Sequence, residues 1–170
     1  RRLRINAPSD PALLQGLAAI RRKMQLPNAF PPEVEAEARS AAGGVKLPDL
    51  DRTDIPFVTI DPPGSMDLDQ AMHIERRRVD GRSAGYRVRY AIADVAAFVT
   101  PGDPVDLEAH ARGETLYSPD IRTPLHPPVV GEAAASLLPD QPRPALFWII
   151  DLDGDGKQVE ADVVLAMVRA

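Results

Sequence analysis

The sequence contains no cysteine, and aromatic residues make up only 5% of its 170 positions. The absence of cysteine excludes disulfide bonds and thiolate metal sites, and it fits a reducing compartment. No run approaches the roughly 18 to 20 apolar residues that a membrane span requires, and no apolar signal core follows Arg1–Asn6. We therefore expect a soluble, cytoplasmic protein that has no membrane partner and no disulfide partner. The first residue is Arg1 rather than Met, which indicates a processed or partial chain.

Proline is abundant, with 18 copies, about twice its usual share of ~5%. This favours many short elements joined by rigid turns over a helical bundle. The net charge of −5 argues against a simple cationic nucleic-acid binder. Basic segments, 1–30 and 71–90, nevertheless alternate with acidic ones, 31–70 and 91–170, so a cationic strip can lie beside an acidic pocket.

Hydrophobic spacing predicts two N-terminal helices, a polar linker and then mainly strands. Asp-Pro pairs, typical of helix starts, open the first helix and a later one. The predicted fold class is α/β (α+β), with a mixed, mainly antiparallel sheet and flanking helices after a short two-helix segment. The predicted helices are 10–25, 32–42 and 103–113, the linker is 45–56, and the strands are 57–60, 71–76, 86–95, 145–151 and 159–168, with a hairpin loop over 81–85.

The densest chemical cluster is an aspartate-rich loop, TIDPPGSMDLDQ, at residues 59–70. Asp67 and Asp69 are two positions apart and share a face of an extended segment. The Pro-Pro-Gly turn can bring Asp61 back against them. Such carboxylates repel one another unless a cation neutralises them, and hard oxygen ligands suit Mg²⁺ or Mn²⁺. From the spacing alone, ordinary turn chemistry, in which Asp side chains cap local amides, is the favoured interpretation.

A family resemblance favours the metal site. The string TIDPPGSMDLDQA is followed in order by YAIADVAAFVTPG, ARGETLYSPD, SLLP and RPAL. Together they resemble the N-terminal part of the RNB catalytic domain of the ribonuclease II and ribonuclease R family. The resemblance predicts a helical segment at 1–47 and part of this domain at 48–170. Flanking cold-shock-like and S1 barrels are not recognisable in the sequence.

The resemblance implies a Mg²⁺-dependent 3′-to-5′ exoribonuclease that degrades single-stranded RNA to nucleoside 5′-monophosphates. Its acidic pattern, D-x5-D-x-D-D, assigns Asp61, Asp67, Asp69 and Gln70 as metal ligands, with Asp69 and Asp67 as catalytic residues. The fourth position departs from the pattern, because the amide of Gln70 ligates a hard cation without adding negative charge. A tyrosine and an arginine that the family also uses would lie beyond Ala170, so the isolated chain is expected to lack part of the catalytic set.

Four further residues are candidates outside the loop. Tyr117 matches an aromatic residue that packs against 3′-terminal nucleotides, although a half-buried structural tyrosine is nearly as plausible. Arg87 and Arg89 belong to a basic run that either contacts RNA phosphates or forms a solvated strand face. Asp94 is a secondary candidate with a structural hydrogen-bonding role beneath the site.

Two alternative functions stay open. A non-catalytic RNB-like RNA-binding protein fits Gln70 and the missing downstream residues. A calcium-binding structural module would use the motif from Asp151 to Asp162, although strand-like flanks favour an exposed hairpin turn there. The sequence leaves the oligomeric state open.

Overall fold

Within residues 10–27 and 29–170, which the computed structural model describes, the largest element is a four-stranded antiparallel sheet. Its strands are β1 (Gln70–Val79), β2 (Arg82–Ala93), β5 (Arg143–Leu152) and β6 (Gln158–Val168). The spatial order is β1-β2-β5-β6. Two short strands, β3 (Leu116–Tyr117) and β4 (Arg122–Thr123), form a separate antiparallel ribbon. The predicted combination of helices with a mainly antiparallel sheet is confirmed.

The α-helices are α1 (Pro11–Lys23), α2 (Pro32–Gly44) and α3 (Pro104–Arg112). Both Asp-Pro starts act as predicted, because the Asp10 carboxylate accepts the N–H of Ala12 and Asp103 accepts that of Asp106. A 3₁₀ turn (Val95–Phe98) and one π-helical turn (Val130–Ala134) complete the helical elements of the described ranges. No helix in this part of the chain is long and apolar enough to cross a bilayer.

Buried apolar side chains of the described residues form two clusters. One lies on the sheet, where the rings of Phe57 and Phe147 meet edge to face with centroids 6.1 Å apart. The other joins Val34 of α2 to Phe98 and to Val105 of α3. Helix α2 therefore shares a core with the later helices. The boundary drawn between residues 47 and 48 stays a prediction.

The strand predicted at 57–60 is wrong. Only Val58 pairs, in a single antiparallel bridge to Met72 of β1, and Ile60 is 81% exposed. Prolines at both ends of the segment lack the N–H groups that a longer ladder would need. The predicted linker at 45–56 is also docked rather than free, because the N–H of Arg52 donates to the carbonyl of Met167 at 2.8 Å.

The hairpin loop predicted at 81–85 is too long. Val79 pairs with Arg82, so the turn consists of Asp80 and Gly81 alone. Both have positive φ, 51° and 77°, as a two-residue hairpin turn with matching twist requires. The polar residues that follow indicated a loop, but cross-strand pairing holds them in β2. At its other end β2 stops at Ala93, two residues before the predicted end.

Candidate active site

The aspartate-rich segment is a loop that leads into β1 and is anchored at Leu68. Leu68 is 5% exposed, and its N–H donates to Ser136 Oγ at 2.9 Å. The same hydroxyl donates to the carbonyl of Met66 at 2.7 Å. Because side chains alternate along extended backbone, burial of Leu68 turns Asp67 and Asp69 away from the core. Asp67 and Asp69 thus lie on the same side of a backbone segment that is anchored at Leu68.

A tight turn precedes this anchor. The N–H and the hydroxyl of Ser65 both donate to the carbonyl of Pro62, at 3.1 and 2.9 Å. Gly64 has φ = 90°, a left-handed conformation that glycine adopts without steric cost. The turn leaves Asp61 beside Asp69 in the wall of one cavity.

The carboxyl group of Asp69 is perturbed by its surroundings. Its pKa is raised, first because surrounding protein atoms partly desolvate the carboxylate, and then because Asp67 and Asp61 add negative charge nearby. The residue nevertheless keeps access to solvent. Asp69 is therefore a better proton acceptor than an ordinary surface aspartate, in a position that water and substrate can reach.

Asp67 is held by an arginine that the sequence interpretation missed. Arg122 Nη1 donates to Asp67 Oδ2 at 2.6 Å, and Nη2 of the same guanidinium donates to Glu132 Oε1. The three side chains are one quarter to two fifths exposed. Positions 67 and 122 are 55 residues apart, so no local spacing in the sequence signals the pair.

Gln70, the fourth predicted ligand, is the first residue of β1 and stands opposite Ile92. Its side-chain oxygen accepts a hydrogen bond from the hydroxyl of Tyr90. Both side chains line the cavity that also contains Asp61 and Asp69. The amide oxygen that would ligate a cation therefore already accepts a hydrogen bond from Tyr90. Ligation would require Gln70 to share this oxygen between Tyr90 and the ion or to break the hydrogen bond.

Two cavities meet at Asp69. The smaller, about 240 Å³, is lined by Asp61, Asp69, Gln70 and Tyr90. The larger, about 440 Å³, is lined by polar groups from several elements: Asp67, Asp69, Thr115, Tyr117, Arg122, His126, Glu132 and Ser136. A polymer that crosses both would pass the Asp69 carboxylate.

Tyr117 projects from β3 at the larger cavity and is 72% exposed. The exposed ring leaves an aromatic face free to stack on a base, and RNA contact by Tyr117 stays a prediction. His126 lines the same cavity, and its pKa is lowered because burial disfavours the charged ring. The local sequence around His126 contains no motif that signals this position.

The carboxylates suit a hard divalent cation by their chemistry, but they are not gathered into a closed ligand cage. Among residues 10–27 and 29–170, no three Asp, Glu or His side chains come close enough together to hold a metal ion. Asp67 faces Arg122 and Gln70 faces Tyr90. Assembly of the predicted ligand set would therefore require both side chains to leave their present partners.

The remaining candidates lie away from the loop. Arg87 makes a two-bond pair with buried Asp151, at 2.7 and 2.8 Å, and Arg89 pairs with Glu75 at 2.6 Å. RNA contact by these arginines stays a prediction, and it would have to compete with these ion pairs. Asp94 is 8% exposed and lines a separate cavity with residues of the 3₁₀ turn, so it does not join the aspartates.

The possible calcium loop is a hairpin turn. The Asp151 carboxylate is 2% exposed and holds Arg87 and Arg77. Asp153 Oδ1 accepts the N–H groups of Asp155 and Lys157, which shapes the turn between β5 and β6. The carboxylates of the first two aspartates of the motif thus already bind partners within the protein, namely arginines and backbone N–H groups.

Comparison with known proteins assigns most of the chain to a protein family. The family model described as RNB domain matches residues 49–170. The chain belongs to the RNB domain family. Its similarity covers the aspartate loop, the sheet and the β3–β4 ribbon.

Relatives of the chain are ribonucleases. Ribonuclease R of Acidithiobacillus ferrooxidans is 34% identical over 140 residues, covering 80% of this chain and 31% of that protein. Exoribonuclease 2 of Vibrio vulnificus strain YJ016 is 35% identical over 107 residues, covering 63% of this chain and 16% of that protein. The chain thus spans less than a third of the length of these relatives.

A solved structure shares the fold. RNase R of Mycoplasma genitalium, in complex with ribose-methylated single-stranded RNA, matches with a TM-score of 0.81 and 25% identity. The match covers 92% of this chain and 24% of that one. The architecture described above is therefore that of the corresponding part of an RNase R.

Proposed function

We propose that the protein carrying this chain is a Mg²⁺-dependent 3′-to-5′ exoribonuclease that releases nucleoside 5′-monophosphates from single-stranded RNA. The observation that carries the proposal is the position of Asp69, at the junction of two cavities with Asp61 and Asp67 nearby. Family membership and the RNA bound to the Mycoplasma RNase R support RNA as the substrate. Mn²⁺ would suit the same oxygen ligands.

Each residue has a distinct task in this proposal. Asp61, Asp67 and Asp69, with the Gln70 amide oxygen, would hold the ion, which neutralises the phosphodiester and lowers the pKa of water. The Asp69 carboxylate orients the attacking water and accepts its proton. The exposed ring of Tyr117 stacks on a base near the 3′ end. Attack at phosphorus breaks the P–O3′ bond, and the terminal nucleotide leaves with its 5′-phosphate.

The test uses the intact gene product and an oligoribonucleotide labelled along its whole length, so that each released mononucleotide is detected. Asp69→Asn is expected to abolish Mg²⁺-dependent mononucleotide release while RNA affinity, measured by fluorescence anisotropy, changes less than about threefold, because one carboxylate among many contacts is neutralised. Asp155→Asn makes the same chemical change in the exposed β5–β6 turn and should leave turnover unchanged. Unaltered turnover in the Asp69 variant would remove the assignment.

A non-catalytic RNA-binding protein is the second candidate. It is favoured by the hydrogen bond between Gln70 and Tyr90 and by the ion pair between Asp67 and Arg122, which occupy two predicted ligands. Wild-type protein that binds the oligoribonucleotide but releases no mononucleotide with Mg²⁺ or Mn²⁺ would establish this alternative. Mononucleotide release by the wild type would exclude it.

A further inference from the structure

We propose that Arg122 is a built-in counter-ion of Asp67, positioned by Glu132, which competes with a divalent cation and so sets the cation affinity of the site. The inference rests on the proposed function, because it concerns the ion that the aspartates would hold. It assigns a positioning role to two residues outside the aspartate loop.

The geometry joins three separate elements through one guanidinium. Arg122 stands on β4, Asp67 on the loop before β1, and Glu132 on the π-helical turn. Arg122 uses Nη1 for Asp67, at 2.6 Å, and Nη2 for Glu132. Since the guanidinium is planar and its donors form a fixed fork, both contacts are made at once in a defined orientation.

Competition follows from charge and distance. A Mg²⁺ ion lies about 2.0–2.1 Å from a carboxylate oxygen that ligates it. A guanidinium that stays on the other oxygen of Asp67 would then lie within a few ångströms of the ion, and the two positive charges would repel. A cation that binds Asp67 must therefore displace Arg122 or bind more weakly. Such competition agrees with the presence of hard oxygen donors while, within the described ranges 10–27 and 29–170, no three acidic or histidine side chains are gathered around one point.

Glu132 decides how readily Arg122 leaves. When Asp67 turns to the cation, Glu132 still neutralises the guanidinium, so no isolated charge is left in the cavity wall. Without the Glu132 carboxylate, Asp67 would carry the negative charge that pairs with Arg122 by itself, and Arg122 would hold it more strongly. Removal of the arginine and removal of the glutamate should therefore change cation affinity in opposite directions, a pattern that loss of packing does not produce.

The experiment is a calorimetric titration of the intact protein with Mn²⁺. Arg122→Gln should tighten binding by about two- to fivefold, the range that corresponds to a partly exposed ion pair. Glu132→Gln should weaken it by a similar factor, and Arg122→Lys, which keeps the charge but loses the planar fork, should tighten binding less than Arg122→Gln does. The controls are Arg39→Gln and Glu35→Gln, which make the same charge changes in an exposed pair on α2 and should leave the affinity unchanged.

The double variant tests whether Glu132 acts through Arg122. If it does, adding Glu132→Gln to Arg122→Gln changes affinity little, and additive effects would contradict the proposal. If the wild type binds Mn²⁺ and the Arg122→Gln variant binds it with the same affinity, this inference is overturned while the proposed function stands. Wild type that binds no Mn²⁺ would overturn the proposed cation site as well. A shift in the same direction for both single variants would also refute it.

Discussion

Two aspartates, one in the main sheet and one just before it, have opposite electrostatic surroundings. Asp151, near the end of β5, is almost fully buried, and its pKa is lowered, first by the hydrogen bonds from Arg87 and then by the positive charges of Arg87 and Arg77. Asp69, just before β1, keeps access to solvent, yet its pKa is raised by desolvation and by two neighbouring carboxylates. The more buried group is thus the one that stays ionised more easily.

The two aspartates differ in the source of the positive charge that neutralises them. At the Asp151 end of the sheet the protein supplies its own cations, so the charge stabilises the fold. At the Asp69 end like charges are held together without enough internal cations, which costs stability unless a cation arrives from solution. A site with this imbalance is suited to binding a positive group from outside.

The largest effect is expected from Gly85→Ala at the Asp151 end. Gly85 has φ = 98°, and an added Cβ would overlap the backbone carbonyl of Leu152. Because backbone atoms of a paired strand cannot move aside, we expect the free energy of unfolding to fall by about 3 kcal/mol or more. Chemical denaturation measures it. Gly154→Ala, where the new Cβ meets nothing within 4 Å, is the matched control, and equal stabilities of the two variants would contradict the described approach of β2 and β5.

Asp151→Asn removes the charge that Arg87 and Arg77 share. We expect a loss of about 2 kcal/mol at neutral pH, below the usual figure for a broken buried pair because both arginines are partly exposed. Because the pKa of Asp151 is lowered in the folded state, its ionisation stabilises the fold at pH values above the ordinary aspartate pKa. This stabilisation is lost as the pH falls through the lowered value. The variant should therefore lose less stability on acidification than the wild type. An unchanged acid limb in denaturation curves would contradict this.

Asp69→Asn should have a smaller effect of the opposite sign. A raised pKa in the folded state means that ionisation of Asp69 destabilises the fold, with no penalty below the ordinary aspartate pKa and the full penalty above the raised value. The variant should gain a fraction of a kcal/mol at neutral pH, since solvent screens the group, and the gain should vanish in acid. Thermal unfolding at both pH values measures the difference, and a gain that persists in acid would be inconsistent with like-charge repulsion.

The smallest expected effect is that of Ca²⁺ on thermal stability. The Asp151 carboxylate is occupied by arginines and Asp153 by backbone N–H groups, so millimolar Ca²⁺ should leave the melting temperature unchanged. Differential scanning calorimetry with and without EDTA tests this. A Ca²⁺-dependent rise in the melting temperature would support the calcium-binding alternative and would mean that the hairpin turn rearranges.

Local chemistry made several parts of the structure predictable. Asp10 and Asp103 cap helices because an Asp-Pro pair stabilises a helix start without distant partners. The strand predicted at 57–60 failed because its neighbours include prolines, and the hairpin loop was overestimated because cross-strand bonds outweigh the polar composition after Gly81. The candidate aspartates could be found because they lie within nine positions of one another.

The sequence by itself determined the family, the aspartate loop and the starts of the capped helices, since each is identified from short motifs whose residues are neighbours in the chain. Only the tertiary structure decided which arginine serves which carboxylate. Arg87 meets Asp151 through the register of β2 with β5, and Arg122 reaches Asp67 across 55 residues. An ion pair depends on distances of a few ångströms, and chain folding sets those distances rather than the order of residues.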